Sequence, residues 1–287
     1  MIDVRPNETA AAEESPAEFS VDGVIQGDCV EKLKKIPPGV INLTIADPPF
    51  NIDHNYGHYR DRLSDDEYLF WSECWLREVH RVSHKHGSFW LCIGDKYVSE
   101  LDVLAKRLGW YKRSHVVWYF TFGNNCKKNF TPSHTHLLYY VKNPKKFTFN
   151  AKQVRVPSAR QTVYNDSRGS PDGRLPDNTW ILRPQEVPGG FETMENTWHH
   201  PRVCGTYKER VPGATNQMPE MLLARIIRAS SHLGGVVLDP FAGTASTAVV
   251  SKKLGRVYLT YEISLQWAAK GTQRLRATTA GEPICGE

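Results

Sequence analysis

No two of the six cysteines form a C-x-x-C pair; Cys29, Cys74, Cys92, Cys126, Cys204 and Cys285 are scattered over 287 residues. With no secretory leader at its start, such a chain is expected to carry free thiols in a reducing compartment rather than disulfides or a zinc site. No apolar run approaches the roughly 18 residues needed to cross a bilayer, so no membrane partner is expected. The glycine signatures G-x-G-x-x-G and G-x-x-x-x-G-K-[ST] are missing, which disfavours a dinucleotide or a nucleoside triphosphate. The expected location is cytoplasmic.

What is present describes an enzyme-sized globular body. Hydrophobic residues make up 40%, aromatics 11% and charged residues 23%, enough to bury a full core. The length fits two domains or one large domain with an inserted piece. The formal charge is +5, but the first 20 residues hold five acids against Arg5, so the remainder carries +9. That bias favours a polyanionic partner.

The periodicity alternates between strands and helices. A short strand near 23–26, a helix near 29–35 and a β-rich run from Val40 to Ala46 open the series. A helix from Asp65 to Ser83 follows, with the apolar stripe Leu69, Trp75, Leu76, Val79 and Val82, and Ser64 with Glu67 forms a capping box. A continuous apolar strand at 87–94 suits a parallel sheet covered on both faces. A helix over 97–108 ends at Gly109, and two further strands lie within 114–120 and 134–143. From Asn150 to about Val211 the chain is rich in Pro, Gly, Arg and Asn, and reads as an irregular excursion or small inserted module. The pattern then returns with a helix over 219–231, the strand V-V-L-D-P-F, the loop A-G-T-A-S, a helix over 247–254 and the strand V-Y-L-T-Y-E-I.

Two strand ends carry chemistry. Asp47-Pro48-Pro49-Phe50 closes the first long strand; two prolines donate no backbone N–H and set a rigid corner that presents carbonyls. A carboxylate, a free carbonyl and an aromatic face together suit a flat group bearing an exocyclic amine. At the second end, Asp239 precedes a tight loop around Gly243, and Glu262 closes the next strand about twenty residues after the loop begins. That offset suits the two hydroxyls of a ribose.

Taken in order, these segments resemble the S-adenosylmethionine-dependent amino-group DNA methyltransferases of the permuted (beta) class, in which the catalytic tetrapeptide precedes the cofactor loop. The resemblance covers roughly residues 21–275 and includes G-D-C-V-E-K-L at 27–33, H-K-H-G-S-F-W-L at 84–91 and the helix beginning N-Q-M-P-E at 216. It implies a Rossmann-like α/β fold, a twisted, mostly parallel seven-stranded sheet with helices on both faces. It implies S-adenosylmethionine as cofactor, with Asp239, Phe241, Gly243, Thr244 and Ala245 lining its pocket beside Asp47, Glu262 on the ribose, and Asp28 with Cys29 closing over it. Two departures stand out: Ala245 occupies a position where the family usually has glycine, and Phe50 replaces a commoner tyrosine.

The expected mechanism is direct transfer. Asp47 and the Pro48 carbonyl accept hydrogen bonds from a conjugated amine, making its lone pair available, and the target base, extruded from the duplex, stacks on Phe50. No metal and no thiolate nucleophile are expected: His134 and His136, and His199 and His200, have no acid or cysteine at ligand spacing in the sequence. Between Lys112 and Arg160 lie ten basic residues and no acid: Lys112, Arg113, Lys127, Lys128, Lys142, Lys145, Lys146, Lys152, Arg155 and Arg160. These, with Arg168, Arg174, Arg183 and Asn165, are the expected contacts to double-stranded DNA.

The resulting division is a flexible acidic tail at 1–19, a catalytic half at 20–150, a target-recognition insertion at 151–211, a cofactor half at 212–275 and a second flexible tail at 276–287. His58 and Tyr56 are expected in a loop over base or cofactor, and Trp71 and Trp75 in core or subunit contacts. The helix 65–83 is the expected surface of a homodimer. N6-adenine is the leading target and N4-cytosine the rival; RNA methylation and a catalytically silent DNA-binding subunit are weaker readings. A prokaryotic or phage-encoded protein associated with the nucleoid through DNA completes the expectation.

Overall fold

The computed structural model describes residues 23–54, 61–120, 126–128, 130–158, 160, 164, 166–168, 170–178, 203, 208–214 and 216–285. His58, Tyr56, Asn165, Arg183, His199, His200, the tail at 1–19 and most of 179–207 lie outside these residues. Among the described residues, no helix is long and apolar enough to cross a membrane.

Seven strands form one sheet: β1 (Ile25–Gln26), β2 (Ile41–Ala46), β3 (Ser83–Ile93), β4 (Tyr111–Tyr119), β5 (His134–Val141), β6 (Val236–Asp239) and β7 (Val257–Glu262), in the order β1-β7-β6-β2-β3-β5-β4. The sheet is mostly parallel; β5 alone runs against its neighbours β3 and β4. The apolar runs of β2 and β3 are therefore continuous for the expected reason, burial on both faces.

Helices α1 (Cys29–Leu33), α2 (Asp65–Val82) and α3 (Val98–Arg107) pack with Leu33, Trp75, Leu76, Leu101, Phe89 and Leu91 into a first core. Across the sheet, α4 (Glu220–Ser230) buries Leu222, Leu223, Ile226 and Ile227 against Leu43, Ile45 and Trp90, and α5 (Ser246–Lys253) with α6 (Leu265–Ala277) forms a third cluster. The capping box of α2 is present: the Ser64 hydroxyl accepts from Glu67 N–H and the Glu67 carboxylate from Ser64 N–H. Trp75 is fully buried and Trp71 partly so, which assigns both to the core. On α2 the large apolar residue left outward is Phe70.

The strands of a parallel sheet end on one rim, and the direction of the connections reverses between two of them. From β2 the chain passes through α2 to β3 on one side; from β6 it passes through α5 to β7 on the other. β2 and β6 are neighbours, paired at Leu43–Val237 and Thr44–Leu238. The crevice outside their carboxyl ends is the topological switch point, where open α/β sheets bind ligands.

The expectation of a flexible C-terminal tail is overturned for residues 278–285. Ile284 is buried in the second core cluster, Gly281 N–H donates to the Lys253 carbonyl, and Cys285 N–H donates to Glu220 Oε2 at 3.1 Å. The same buried carboxylate receives Lys253 Nζ at 2.8 Å and Arg274 Nη2 at 3.0 Å. One acid thus ties together α4, α5, α6 and the terminus. Glu220→Gln leaves two largely buried cations underpaired and is expected to destabilise the fold by about 3 kcal/mol, read as a lowered denaturant midpoint with an unchanged slope.

Candidate active site

Asp47, Pro48, Pro49 and Phe50 leave the end of β2 directly at this crevice. The corner is held from behind: the Tyr68 hydroxyl donates to the Pro49 carbonyl at 2.7 Å. Phe50 is partly buried and packs against both the first and second core clusters. Its ring lies over Gly94, where an added Cβ would sit 3.0 Å from Phe50 Cδ2. Gly94 therefore leaves space for the ring.

The next residue sets the turn. Asn51 adopts φ 53° and Asp53 φ 61°, in the left-handed region that costs a non-glycine residue energy unless its surroundings enforce it. The enforcement is visible. The Asn51 side chain donates to Leu63 O at 2.9 Å and to the Tyr97 hydroxyl at 2.8 Å, while accepting Leu63 N–H at 2.7 Å. Asp61 accepts Ile52 N–H at 3.1 Å. Sequence reasoning passed over Asn51, although asparagine directly after a rigid corner is a residue type that tolerates this conformation.

Across the crevice, Asp239 ends β6 and accepts Phe241 N–H at 2.9 Å. Glu262 ends β7, accepting Gly243 N–H at 2.8 Å on one oxygen and Ser264 N–H at 2.8 Å on the other. Each oxygen keeps a further lone pair. Gly243 has φ 49° and open space where a side chain would stand, which fits close approach of a ligand to the backbone. Arg274 pins the loop from α6 through Thr244 O and Ser246 Oγ. Phe241 leans on Trp71 and Trp75, with ring centroids 5.7 and 5.3 Å away. Ala245 takes φ 63° and is fully buried. Its methyl is accommodated because Gly271 on α6 faces it, where a Cβ would come within 3.0 Å of the Ala245 Cβ.

The electrostatics point to a cationic ligand. Burial raises Asp47 to about 7, opposed by a hydrogen bond from the Cys92 thiol and aided by the charge of Asp239. Burial likewise raises Asp239 to about 6; bonds from Thr247 and Phe241 N–H oppose the rise and Glu262 adds to it. Acids that hold their protons this tightly are relieved by a positive charge placed among them. Cys92 was also missed by sequence reasoning; the β2–β3 register that pairs Ile45 with Trp90 and Ala46 with Leu91 carries it to Asp47. Asp28 caps α1, accepting Glu31 N–H, and remains exposed beside β1. Cys29 is buried, and burial pushes its thiol up to about 12, which rules against a thiolate.

With this geometry in place, likeness to known proteins becomes decisive. The DNA methylase family model N6_N4_Mtase matches residues 41–271. The chain belongs to the amino-group (N6-adenine/N4-cytosine) DNA methyltransferase family. It is 34% identical over 253 residues to the type II methyltransferase M.HpaI of Haemophilus parainfluenzae, covering 88% of this chain and 73% of that one. It is 34% identical over 255 residues to the DNA adenine methyltransferase YhdJ of Escherichia coli (strain K12), covering 88% and 82%. In fold it resembles a Thermus thermophilus protein complexed with S-adenosyl-L-methionine, with TM-score 0.59, 19% identity and coverage of 92% and 100%. It also resembles the PvuII cytosine-N4-specific DNA methyltransferase, with TM-score 0.58, 15% identity and coverage of 90% and 93%. This methyltransferase uses S-adenosylmethionine, and its order is the permuted one: the tetrapeptide on β2 precedes the glycine loop after β6. The residues of the crevice fit that cofactor in their chemistry: Asp47 and Asp239 are acids that a sulfonium or ammonium charge would relieve, and Glu262 stands beside an open glycine loop.

The expected basic surface divides. Lys127 and Lys128 are exposed in the β4–β5 connection, on the rim shared with Asp47. Lys142, Lys145 and Lys146 stand on the opposite rim, because antiparallel β5 carries the chain away from the crevice. Lys142 Nζ is moreover held by the carbonyls of His80 and Ser83 at 2.7 and 2.8 Å. The sequence run of like charge is therefore not one surface. Arg155 is engaged with Ser170 and the Gly173 carbonyl, Arg168 with Asp166 and Arg174 with Asp177, while Arg160 is exposed.

The raised Asp47 has a kinetic consequence. A protonated carboxyl cannot accept the N–H of a substrate amine as the carboxylate does, so kcat/KM is expected to fall about tenfold per pH unit below about 7 and to level off above it. A pH profile with both cofactor and DNA limiting, where the free enzyme titrates, checks this; a rate unchanged down to pH 5 contradicts it. Asn51→Ala, which removes three hydrogen bonds, is expected to cost about 2–3 kcal/mol of stability in chemical denaturation.

Proposed function

We propose that this methyltransferase acts on the N6 amino group of adenine in double-stranded DNA, by direct transfer to a base extruded from the helix. The observation that carries the reading is Asp47-Pro48-Pro49-Phe50 at the switch point, across from Asp239 and Glu262. The cofactor supplies an electrophilic methyl group on sulfur. Asp47 as a carboxylate and the Pro48 carbonyl would accept hydrogen bonds from the two N–H groups of the target amine, whose electron pair, freed from ring conjugation, takes the methyl as its bond to sulfur breaks; that bond's pair stays on sulfur as a neutral thioether, and the surplus amine proton leaves to Asp47 or water. Phe50 offers a face to the flat ring of the base, and Gly94 leaves the Phe50 side chain its room. An amine inside a base pair cannot reach such a recessed corner, which is why extrusion belongs to the reading.

Adenine is favoured by aspartate at the first tetrapeptide position and by the adenine target in the name of a relative sharing 34% identity. N4-cytosine presents the same pair of donors and is the second reading, favoured by the likeness in fold to a cytosine-N4 enzyme. DNA would approach the rim bearing Lys127 and Lys128, with Arg155 and Arg160 from the segment after β5 adding phosphate contacts. Residues 151–211 are the proposed target-reading insertion.

Mass spectrometry of nucleosides from unmethylated DNA incubated with the enzyme and S-adenosylmethionine tests the proposal. N6-methyladenine is expected from the native chain and is lost in Asp47→Ala; N4-methylcytosine instead would move the target while leaving the corner its role. Lys127→Glu with Lys128→Glu is expected to raise the KM for DNA and flatten its salt dependence, with the affinity for S-adenosylmethionine unchanged.

A further inference from the structure

The histidines discounted in the sequence gain an acid in the fold. β5 begins His134-Thr135-His136, and alternation along a strand places the two histidines on one face. The antiparallel register pairs Ile93 with His136; continued two residues outward, it brings Asp95 opposite His134. Asp95 Oδ1 lies 2.7 Å from His136 Nε2 and 3.2 Å from His134 Nε2. All three donor atoms fall within 4.8 Å of one another. Behind them, on the adjoining strand β4, His115 Nε2 lies 2.8 Å from His136 Nδ1.

We propose that Asp95, His134 and His136 form a transition-metal site, with His115 orienting His136 from behind. Two imidazole nitrogens and one carboxylate oxygen match the donors that zinc takes in sites with three protein ligands and an open position completed by water. Bonds of about 2.1 Å at tetrahedral angles separate ligand atoms by about 3.4 Å; Asp95 and His134 already stand near this spacing, Asp95 and His136 must open, and the two imidazole nitrogens lie within 4.8 Å of each other. Imidazole donors favour Zn(II), Co(II) and Ni(II) over the oxygen-seeking Mg(II) and Ca(II). His115 Nε2 is placed to accept the Nδ1–H of His136, which would direct the His136 Nε2 lone pair toward the metal as outer partners do for ligating histidines.

The position gives the site a structural consequence. Asp95 follows Gly94, over which the Phe50 ring lies, so a bound ion would cross-link the end of β3 to the start of β5 beside the proposed base-stacking residue. The ion is separate from methyl transfer at Asp47.

Titration of the untagged full-length chain with Co(II), followed by visible absorption and by calorimetry, tests the proposal, with Zn(II) as competitor. One equivalent of Co(II) is expected to give ligand-field bands that Zn(II) abolishes, and Zn(II) is expected to raise the melting temperature. Asp95→Asn and His136→Ala should each weaken binding about a hundredfold or more, and His115→Ala about tenfold. Cys126→Ser, which removes an exposed thiol outside the cluster, should leave it unchanged. Circular dichroism and S-adenosylmethionine affinity serve as folding controls for each variant. Absence of binding by the native chain, or binding that survives both Asp95→Asn and His136→Ala in folded protein, would overturn the proposal and leave the cluster a hydrogen-bonded network only.

Discussion

The pairing of β2 with β6 is the constraint on which the site rests. Its register, Leu43 with Val237 and Thr44 with Leu238, brings two chain segments nearly two hundred residues apart side by side, so that Asp47 and Asp239 emerge at the same rim. Because the connections leaving these strands turn to opposite sides, no crossover covers the gap between them. The crevice is a product of topology. Side chains only finish it, with the double-proline corner on one lip and the glycine loop on the other.

Finishing it has an electrostatic and a conformational cost. Asp47 and Asp239 share a confined space in which burial, with the charge of Asp239 on Asp47 and of Glu262 on Asp239, favours their protonated forms, and this makes the crevice receptive to positive charge. The left-handed conformations at Asn51 and Asp53 are held by hydrogen bonds that reach to Leu63, Tyr97 and Asp61. Through these the double-proline corner is braced against the starts of α2 and α3. Cys92 and Tyr68 complete the bracing, one on the carboxylate and the other on the Pro49 carbonyl.

What was legible in the sequence was what is encoded locally. The α2 capping box, the continuous strands, the D-P-P-F corner and the glycine loop each announce themselves within a few residues, and their order suffices for the family. What was not legible depends on register. Cys92 reaches Asp47, and Asp95 reaches His134 and His136, only through strand pairing that no local window contains. The basic run from Lys112 to Arg160 misled for the same reason: it looks continuous along the chain, but β5 crosses the sheet in eight residues and delivers Lys142 to the far rim. The polar, glycine-bearing terminus likewise gave no hint that Ile284 and Cys285 would dock on partners distant in the chain.

The central position of β2 also bears on biosynthesis. During translation β2 and β3 can pair early, but the other edge of β2 must wait until Val237 and Leu238 have left the ribosome. Until then a strongly apolar strand presents unpaired amide and carbonyl groups along a free edge, a template for aberrant association. The nascent chain is thus most vulnerable while its intervening, polar segment is being made, and the crevice between β2 and β6 can form only after that segment is complete.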